Sequence, residues 1–213
     1  MTDRPTDRFD QDERAAVYRV IAERRDMRHF VGGAVDPAVL RRLLESANLA
    51  PSVGLMVPWR FVRVVSPAVR AAVADLVDAE RERTAEALDE RGAEFLRLKV
   101  EGVRDCAELI VVSITGDRDR HVFGRRTMPH MDLASVACAI QNLWLAARAE
   151  NLGMGWVSLF EPAELAALLD LPAGDEPVAV LCLGPVERFY DRPMLVEQRW
   201  GDPRPLEELV DER

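Results

Sequence analysis

Three arginines and one aspartate occupy positions 24–28, where a predicted helix ends. Guanidinium groups are planar and donate paired hydrogen bonds that match phosphate oxygens, so such a cluster suits a phosphorylated ligand. A carboxylate among them would repel that ligand, which makes Asp26 the residue that needs an explanation. The alternative is a solvated helix surface whose charges pair at i,i+4 spacing.

Residues 50–61 join a helix to a strand through two prolines, a glycine and a hydroxyl group. A loop this rigid presents its backbone groups at fixed positions, and Ser52 can donate its hydroxyl to a phosphate or to the edge of a ring. A purely structural connection is the alternative, and the segment alone does not separate the two.

Residues 153–160 contain two glycines close to a predicted strand. Glycine lets a planar ligand approach the backbone closely, but the third glycine and the following helix of a dinucleotide fingerprint are missing. Ser158 could serve a ligand, or it could be an ordinary strand serine with a satisfied hydroxyl.

Hydrolytic and metal chemistry find little support in the sequence. The three histidines are too scattered for a zinc motif, and neither a Gly-x-Ser-x-Gly elbow nor a phosphate-binding P-loop occurs. His130 and Asp132 could be read as ligands, but a turn at a helix start, with Asp132 near the helix dipole, explains them better. We therefore predict no metal.

The composition predicts one soluble globular domain over residues 1–213, with 48% hydrophobic and 31% charged residues. A net charge of −9 argues against nucleic acid and anionic membranes as partners. Cys106, Cys138 and Cys182 have no Cys-x-x-Cys spacing and are read as reduced core thiols of a cytoplasmic protein. We see no secretion signal and no apolar stretch of membrane-spanning length.

The hydrophobic periodicity predicts long helical stretches between unequally spaced strands, which favours an α+β sandwich over a doubly wound sheet. Residues 1–10 are expected to form a loose tail, and residues 189–213 an extended C-terminal arm. Helices are predicted at 12–23, from Asp36-Pro37 to before Pro51, from Ser66-Pro67 to about 105, at 131–151 and after Pro162, and strands at 61–65, 109–115, 156–160 and 178–183. The helix at 131–151 is apolar on most of its circumference and needs cover on several sides.

These segments, taken in order, resemble the nitroreductase-type flavoproteins, and among them the flavin-consuming 5,6-dimethylbenzimidazole synthases of the BluB type. The resemblance covers about residues 18–206. It includes the arginine cluster with Asp26, the Ala-Pro-Ser-Val-Gly loop at 50–54, Arg-Thr-Met-Pro at 126–129, and residues 138–148 and 153–158. Ordinary nitroreductases typically have Ser at the position of Asp26.

The resemblance implies an intertwined α+β homodimer with a mostly antiparallel central sheet and two FMN sites at the subunit interface. Ser52 and its neighbours would come from the second subunit, and the helix at 131–151 would form the dimer core. The implied FMN-binding residues are Arg24, Arg25, Arg28, Pro51, Ser52, Val53, Gly54, Gly155, Trp156, Val157 and Arg204.

The implied reaction consumes reduced FMN and O₂ and gives 5,6-dimethylbenzimidazole, the lower ligand of vitamin B12, and erythrose 4-phosphate. Asp26 and Ser158 are the implied catalytic residues. Asp26, with a pKa held low by nearby cations, would move protons, and Ser158 would hydrogen-bond the reacting ring. Leu55, Met56 and Trp59 would form a dry oxygen pocket.

The reductant stays open, with NAD(P)H or a separate flavin reductase upstream. Val57, Arg60 and His130 depart from the residues common in the family, which leaves the fine geometry of the oxygen pocket open. Two other readings remain. One is an NAD(P)H-dependent nitroreductase or flavin reductase that recycles FMN, and the other is a flavin-binding protein without turnover.

Overall fold

The computed structural model describes residues 8–213, so most of the predicted N-terminal tail lies outside the described residues. Four strands form one sheet in which every neighbouring pair is antiparallel, in the order β1-β2-β4-β3. The strands are β1 (Trp59–Arg63), β2 (Glu108–Ile114), β3 (Gly153–Val157) and β4 (Glu176–Gly184).

Helices surround this sheet, and their starts follow the predicted capping residues. The Asp36 carboxylate accepts the Ala38 N–H at 2.7 Å, and Ser66 caps the next helix in the same way. Among residues 8–213, no helix combines the length and apolar character needed to cross a bilayer. The helices are α1 (Gln11–Glu23), α2 (Pro37–Asn48), α3 (Pro67–Ala87), α4 (Gly92–Arg97), α5 (Met131–Ala149), α6 (Pro162–Leu168) and α7 (Met194–Glu197).

The sheet separates two apolar layers, because successive strand residues point to opposite faces. On one face Ile110 and Leu181 pack with α2 and α5, and on the other Val111 and Val180 pack with α3 and α6. Helices on both faces of an antiparallel sheet give the α+β fold that the sequence predicts, which is confirmed.

Several boundaries differ from the predictions. The predicted strand at 61–65 begins two residues earlier, at Trp59, because its pairing with β2 starts opposite Ile114. The predicted helix to residue 105 breaks after Ala87, where Asp89 adopts a positive φ of 49°, and helical structure ends at Arg97. The C-terminal arm is not wholly extended, since it contains α7 and a short 3-10 turn at Leu206–Glu208.

Helix α5 leaves one of its faces uncovered within the chain. Val136, Ile140 and Leu143 are buried in the core, whereas Ala134 and Cys138 are exposed. Cys138 is therefore not the core thiol that the sequence predicts, because the helix is apolar all round and a single chain covers only part of it. Cys106 and Cys182 are buried, and all three thiols are free.

Candidate functional site

The 24–28 segment leaves the end of α1 and runs beside the edge strand β3. The Met27 N–H donates to the Met154 carbonyl oxygen at 2.9 Å, and Asp26 and Met154 form a single parallel bridge. The segment thus acts as a short extension of the sheet, and its side chains take fixed directions relative to β3.

Asp26 and Arg28 form the most closely bonded pair of this segment. Arg28 Nη2 lies 2.5 Å from Asp26 Oδ2 and also donates to the Trp156 carbonyl oxygen at 2.8 Å. The second carboxylate oxygen of Asp26 accepts the Trp156 N–H at 3.1 Å. Asp26 is fixed from two directions, yet 43% of its side chain remains accessible.

Burial raises the pKa of the Asp26 carboxyl above its ordinary value, although the charge of Arg28, the Trp156 N–H and the charge of Arg24 act in the opposite direction. The sequence-based expectation of a low pKa was therefore wrong. The neighbouring cations are present as predicted, but removal of water from around the carboxylate outweighs them. A carboxyl group with a raised pKa can hold a proton and release it under milder conditions than an ordinary aspartate.

Arg24 and Arg25 lie on the other side of Asp26. The Arg24 guanidinium stacks over the Trp144 ring, 4.5 Å from its centre. Arg25 donates to the carbonyl oxygens of Ala22 at 2.7 Å and Asp191 at 3.0 Å, so it both caps α1 and holds the C-terminal arm.

Two guanidinium nitrogens of this cluster, Arg25 Nε and Arg28 Nη1, are buried and have no hydrogen-bond partner. Buried donors are normally paired, and an unpaired one is costly. Two cationic donors without partners on this segment fit an acceptor such as a phosphate or the polar edge of a flavin.

A cavity of about 210 Å³ opens in front of these groups. Arg24, Arg25, Asp26 and Arg28 line one side, and Val100 with residues 193–195 of the C-terminal arm lines the other. Pockets that hold drug-sized ligands measure roughly 300–1,000 Å³. The cavity of a single chain is smaller than this range, and its lining combines charged side chains with apolar ones.

The two glycines of β3 do not leave room for a ligand as the sequence suggested. A Cβ on Gly155 would lie 2.2 Å from the Met27 carbonyl oxygen, and one on Gly153 would lie 2.4 Å from Val186 Cγ1. The chain itself fills that space, because the 24–28 segment runs directly beside β3 there. The glycines allow the contact that places Asp26.

Residues 156–158 follow these glycines. The Trp156 backbone bonds to both Asp26 and Arg28, and Val157 is buried in the core. Ser158 lies one residue beyond the end of β3 and is exposed. The predicted strand at 156–160 was thus placed too late in the chain, and Ser158 is not a strand serine.

The Ser52 loop, defined as residues 51–59, lies apart from the 24–28 segment in the single chain. Pro51 and Gly54 are exposed, and the Ser52 hydroxyl accepts the Val57 N–H at 3.1 Å. The Val53 N–H donates to Ser135 Oγ at 3.0 Å, near the start of α5. No residue of this loop lines the cavity at Asp26.

The three predicted oxygen-pocket residues divide into two environments. Met56 and Trp59 are buried, and Trp59 Nε1 donates to Asn48 Oδ1 at 3.1 Å. Leu55 is 87% exposed. Leu55 and Val57 adopt positive φ angles of 53° and 48°, a strained conformation for bulky side chains that marks a site held in place by its surroundings.

Arg204 does not line the cavity at Asp26. Two residues that the sequence did not identify, Tyr190 and Trp144, contact the 24–28 segment. Arg204 contacts Glu208 four residues on. The Tyr190 hydroxyl accepts the Arg28 N–H at 3.1 Å and contacts His29 Nδ1 at 2.6 Å, and Trp144 donates to the Arg25 carbonyl oxygen at 3.2 Å. These contacts span more than a hundred residues of sequence, so no local pattern could have revealed them.

A second cavity, of about 700 Å³, lies between α2 and β1 and contains none of the predicted site residues. Its charged residues already pair, Arg41 with Glu45 at 2.8 Å and Arg63 with Glu108 at 2.9 Å. Within the part of the chain that the structure describes, no three metal-ligating side chains cluster.

Comparison with known proteins gives consistent results. The nitroreductase family model matches residues 21–185. A curated 5,6-dimethylbenzimidazole synthase from Rhodobacter capsulatus is 40% identical over 201 residues, which cover 93% of this chain and 97% of that protein.

Among solved structures, a BluB-like flavoprotein from Clostridium difficile superposes with a TM-score of 0.71 at 16% identity, over 92% of this chain and 98% of the other. A nitroreductase-type structure from Desulfovibrio desulfuricans in complex with FMN gives a TM-score of 0.65 at 25% identity, over 92% and 96% of the two chains.

Proposed function

The chain belongs to the nitroreductase family, and from this premise we propose that it is a 5,6-dimethylbenzimidazole synthase. Its substrates in this proposal are reduced FMN and O₂, and its products are 5,6-dimethylbenzimidazole and erythrose 4-phosphate. Reduced FMN supplies both the electrons for O₂ and the carbon skeleton of the benzimidazole. The activity provides the lower ligand of cobalamin.

The observation that carries this proposal is the placement of Asp26. Its carboxyl group lies at the wall of the cavity, bonded to Arg28 and to the Trp156 N–H, with a raised pKa and an accessible side. A flavin that only shuttles hydride needs no protein acid there, whereas cleavage of its side chain and ring requires protons to be moved at carbon and nitrogen. Asp26 is the group suited to move them.

The arginines of the 24–28 segment would hold the FMN phosphate and ribityl chain. Arg25 Nε and Arg28 Nη1 are the donors without partners, and the Arg24 guanidinium is fixed over Trp144 facing the same cavity. Trp156, which is partly exposed, would lie along the ring system, and Ser158 would reach it from the exposed end of β3.

We also propose that two copies of the chain complete each site. The Ser52 loop is held near the N-terminal end of α5 by Ser135, whereas the 24–28 segment contacts Trp144, nine residues further on. At about 1.5 Å per residue, these anchors lie roughly 14 Å apart along the helix. A two-fold axis that packs the exposed faces of two α5 helices antiparallel would bring the loop of one copy toward the cavity of the other.

In such a dimer Leu55, Met56 and Trp59 would form the dry pocket for O₂, with Pro51, Ser52, Val53 and Gly54 against the flavin. The exposure of Leu55 in the single chain is consistent with a side chain that packs on a second copy. Electrons would come from NAD(P)H, directly or through a separate flavin reductase. The free cysteines accord with a cytoplasmic location.

Replacing Asp26 tests the proposal. FMN bound to Asp26→Asn is reduced without air and then mixed with air, and the organic products are separated by chromatography with mass detection. We expect bound FMN but at least a roughly hundredfold loss of 5,6-dimethylbenzimidazole, the scale of a lost acid–base group. Asp170→Asn is the matched control, because Asp170 is exposed after α6 and its positive φ suits asparagine.

Undiminished benzimidazole formation by Asp26→Asn would contradict the role of the carboxyl group. Steady NADH-driven reduction of a nitroaromatic by the wild-type protein, with FMN intact at the end, would instead favour a nitroreductase.

A further inference from the structure

The Arg125 side chain connects distant parts of the loop between β2 and α5. Its guanidinium donates to the carbonyl oxygens of Arg118, His121 at 3.4 Å and Pro129 at 3.3 Å. One planar group therefore joins the beginning, middle and end of residues 116–130, which contain no regular secondary structure of their own.

Asp132, in the first turn of α5, fixes this guanidinium in turn. Its Oδ2 accepts Arg125 Nη2 at 2.9 Å and lies 3.7 Å from Arg118 Nη1. Asp132 is only 4% exposed, and the Arg125 side chain is 11% exposed. Breaking a buried pair of this kind leaves an uncompensated charge, so each partner holds the other firmly in position.

The tip of the same loop rests on the Ser52 loop. A Cβ on Gly124 would lie 2.5 Å from Val53 Cγ2, and one on Gly54 would lie 3.2 Å from the Phe123 carbonyl oxygen. Glycine at both positions lets the two loops pack closely, so residues 123–124 support Val53 and Gly54 together with the hydrogen bond from Val53 to Ser135. The strained backbone at Leu55 and Val57 follows directly after this contact.

We infer that Asp132 is a positioning residue for the oxygen pocket, acting through Arg125 and residues 123–124 on the Ser52 loop. This inference rests on the proposed function in assigning Leu55, Met56 and Trp59 to that pocket. A loose pocket admits water and misplaces O₂, and reduced FMN then reacts to oxidised FMN and hydrogen peroxide, a balanced two-electron transfer. The ion pair between Asp132 and Arg125 thus favours fragmentation of the flavin over its simple oxidation.

The product ratio separates positioning from general stability. FMN is bound to the full chain, reduced anaerobically and mixed with air, and 5,6-dimethylbenzimidazole and hydrogen peroxide are both quantified. Unbound FMN is removed beforehand, because free reduced FMN also gives hydrogen peroxide with air. A smaller folded fraction then lowers both products together, whereas a displaced loop changes their ratio. In Asp132→Asn and Arg125→Lys we expect the ratio of benzimidazole to peroxide to fall roughly tenfold or more, in the range that misplacement by about 1 Å produces.

Glu108→Gln is the matched control. Glu108 makes a partly buried ion pair with Arg63 at the other end of the β1–β2 pair, away from residues 116–130. The ratio of benzimidazole to peroxide formed by Glu108→Gln should equal that of the wild-type protein. If Asp132→Asn does not fold, Arg125→Lys and Gly124→Ala test the same connection from the loop side.

Hydrogen–deuterium exchange gives a readout that does not require the proposed reaction. The Val53 and Val57 amides should exchange faster in Asp132→Asn than in the wild-type protein, with no change in Glu108→Gln. Unchanged exchange at these amides, or a wild-type product ratio, would overturn the inference. Wild-type protein that forms no benzimidazole while exchange at Val53 and Val57 responds as expected would refute the proposed function but not the positioning role of Asp132.

Discussion

At the scale of single residues, Asp26 shows what a sequence can and cannot reveal. Its position among three arginines is enough to identify it as unusual. The direction of its pKa shift cannot be read from the sequence, because the sequence displays the cations beside Asp26 but not its burial in the folded chain. Burial is a property of the folded chain, so the predicted direction of the shift was wrong.

The raised pKa of Asp26 predicts a pH-dependent stability difference in the FMN-free protein. A carboxyl group whose pKa is higher in the folded state than its ordinary value of 3.8 binds protons more tightly when folded. Its ionisation therefore lowers the free energy of unfolding as pH rises above that value. Asparagine mimics the neutral acid, so the Tm of Asp26→Asn minus that of the wild-type protein should increase with pH.

Thermal unfolding of both proteins between about pH 3.5 and pH 7 measures this difference. Asp170→Asn again serves as the control, with a Tm difference that does not follow the same trend. A difference for Asp26→Asn that decreases as pH rises would mean that the arginines dominate after all and that the pKa is lowered.

At the scale of elements, the sequence predicted which segments become helices or strands better than where they begin. Asp36 and Ser66 initiate helices as predicted, because capping depends on neighbouring residues alone. Strand β3 was displaced by three residues, because Gly153 and Gly155 disfavour a strand locally. The position of β3 is determined instead by long-range pairing with β4 and by the 24–28 segment that lies beside it.

Gly155→Ala tests this account of β3. The added methyl group would lie 2.2 Å from the Met27 carbonyl oxygen, so the 24–28 segment must shift. We expect the free energy of unfolding to fall by about 1–3 kcal/mol, typical of overpacking, and FMN to bind more weakly because Asp26 and Arg28 move. Urea unfolding and a flavin fluorescence titration measure the two effects.

Gly201→Ala is the control, since a methyl group at Gly201 meets no heavy atom within 4 Å. It should leave both quantities within the range of ordinary surface substitutions, about 0.5 kcal/mol. Unchanged FMN affinity in Gly155→Ala would show that the contact between Met27 and Gly155 does not position the arginines proposed to bind FMN.

At the scale of the whole molecule, apolar side chains of α1 and α5 remain exposed, as the proposed dimer would require. Val17 and Ile21 on α1 are 55% and 50% exposed, and α1 buries none of its residues. The exposed face of α5 adds Ala134 and Cys138. The sequence predicted that α5 needs cover on several sides, but a periodic pattern does not tell whether that cover comes from the same chain.

A charge on the exposed face of α5 should therefore separate the proposed dimer. In Cys138→Asp we expect sedimentation to report a monomer where the wild-type protein is a dimer, together with loss of FMN binding, because each site would lack its second chain. Ala163→Asp is the control, since it adds the same charge to an exposed position in the first turn of α6. A wild-type protein that sediments as a monomer with FMN bound would refute the shared site.

Consumption of the flavin by the wild-type protein can be followed in a single reaction with air. FMN bound to the wild-type protein is reduced completely without oxygen, exposed to air, and followed by absorbance while the released compounds are identified by mass. The account predicts permanent loss of flavin absorbance with 5,6-dimethylbenzimidazole and erythrose 4-phosphate released in equal amounts. Full recovery of oxidised FMN, accompanied only by hydrogen peroxide, would contradict it.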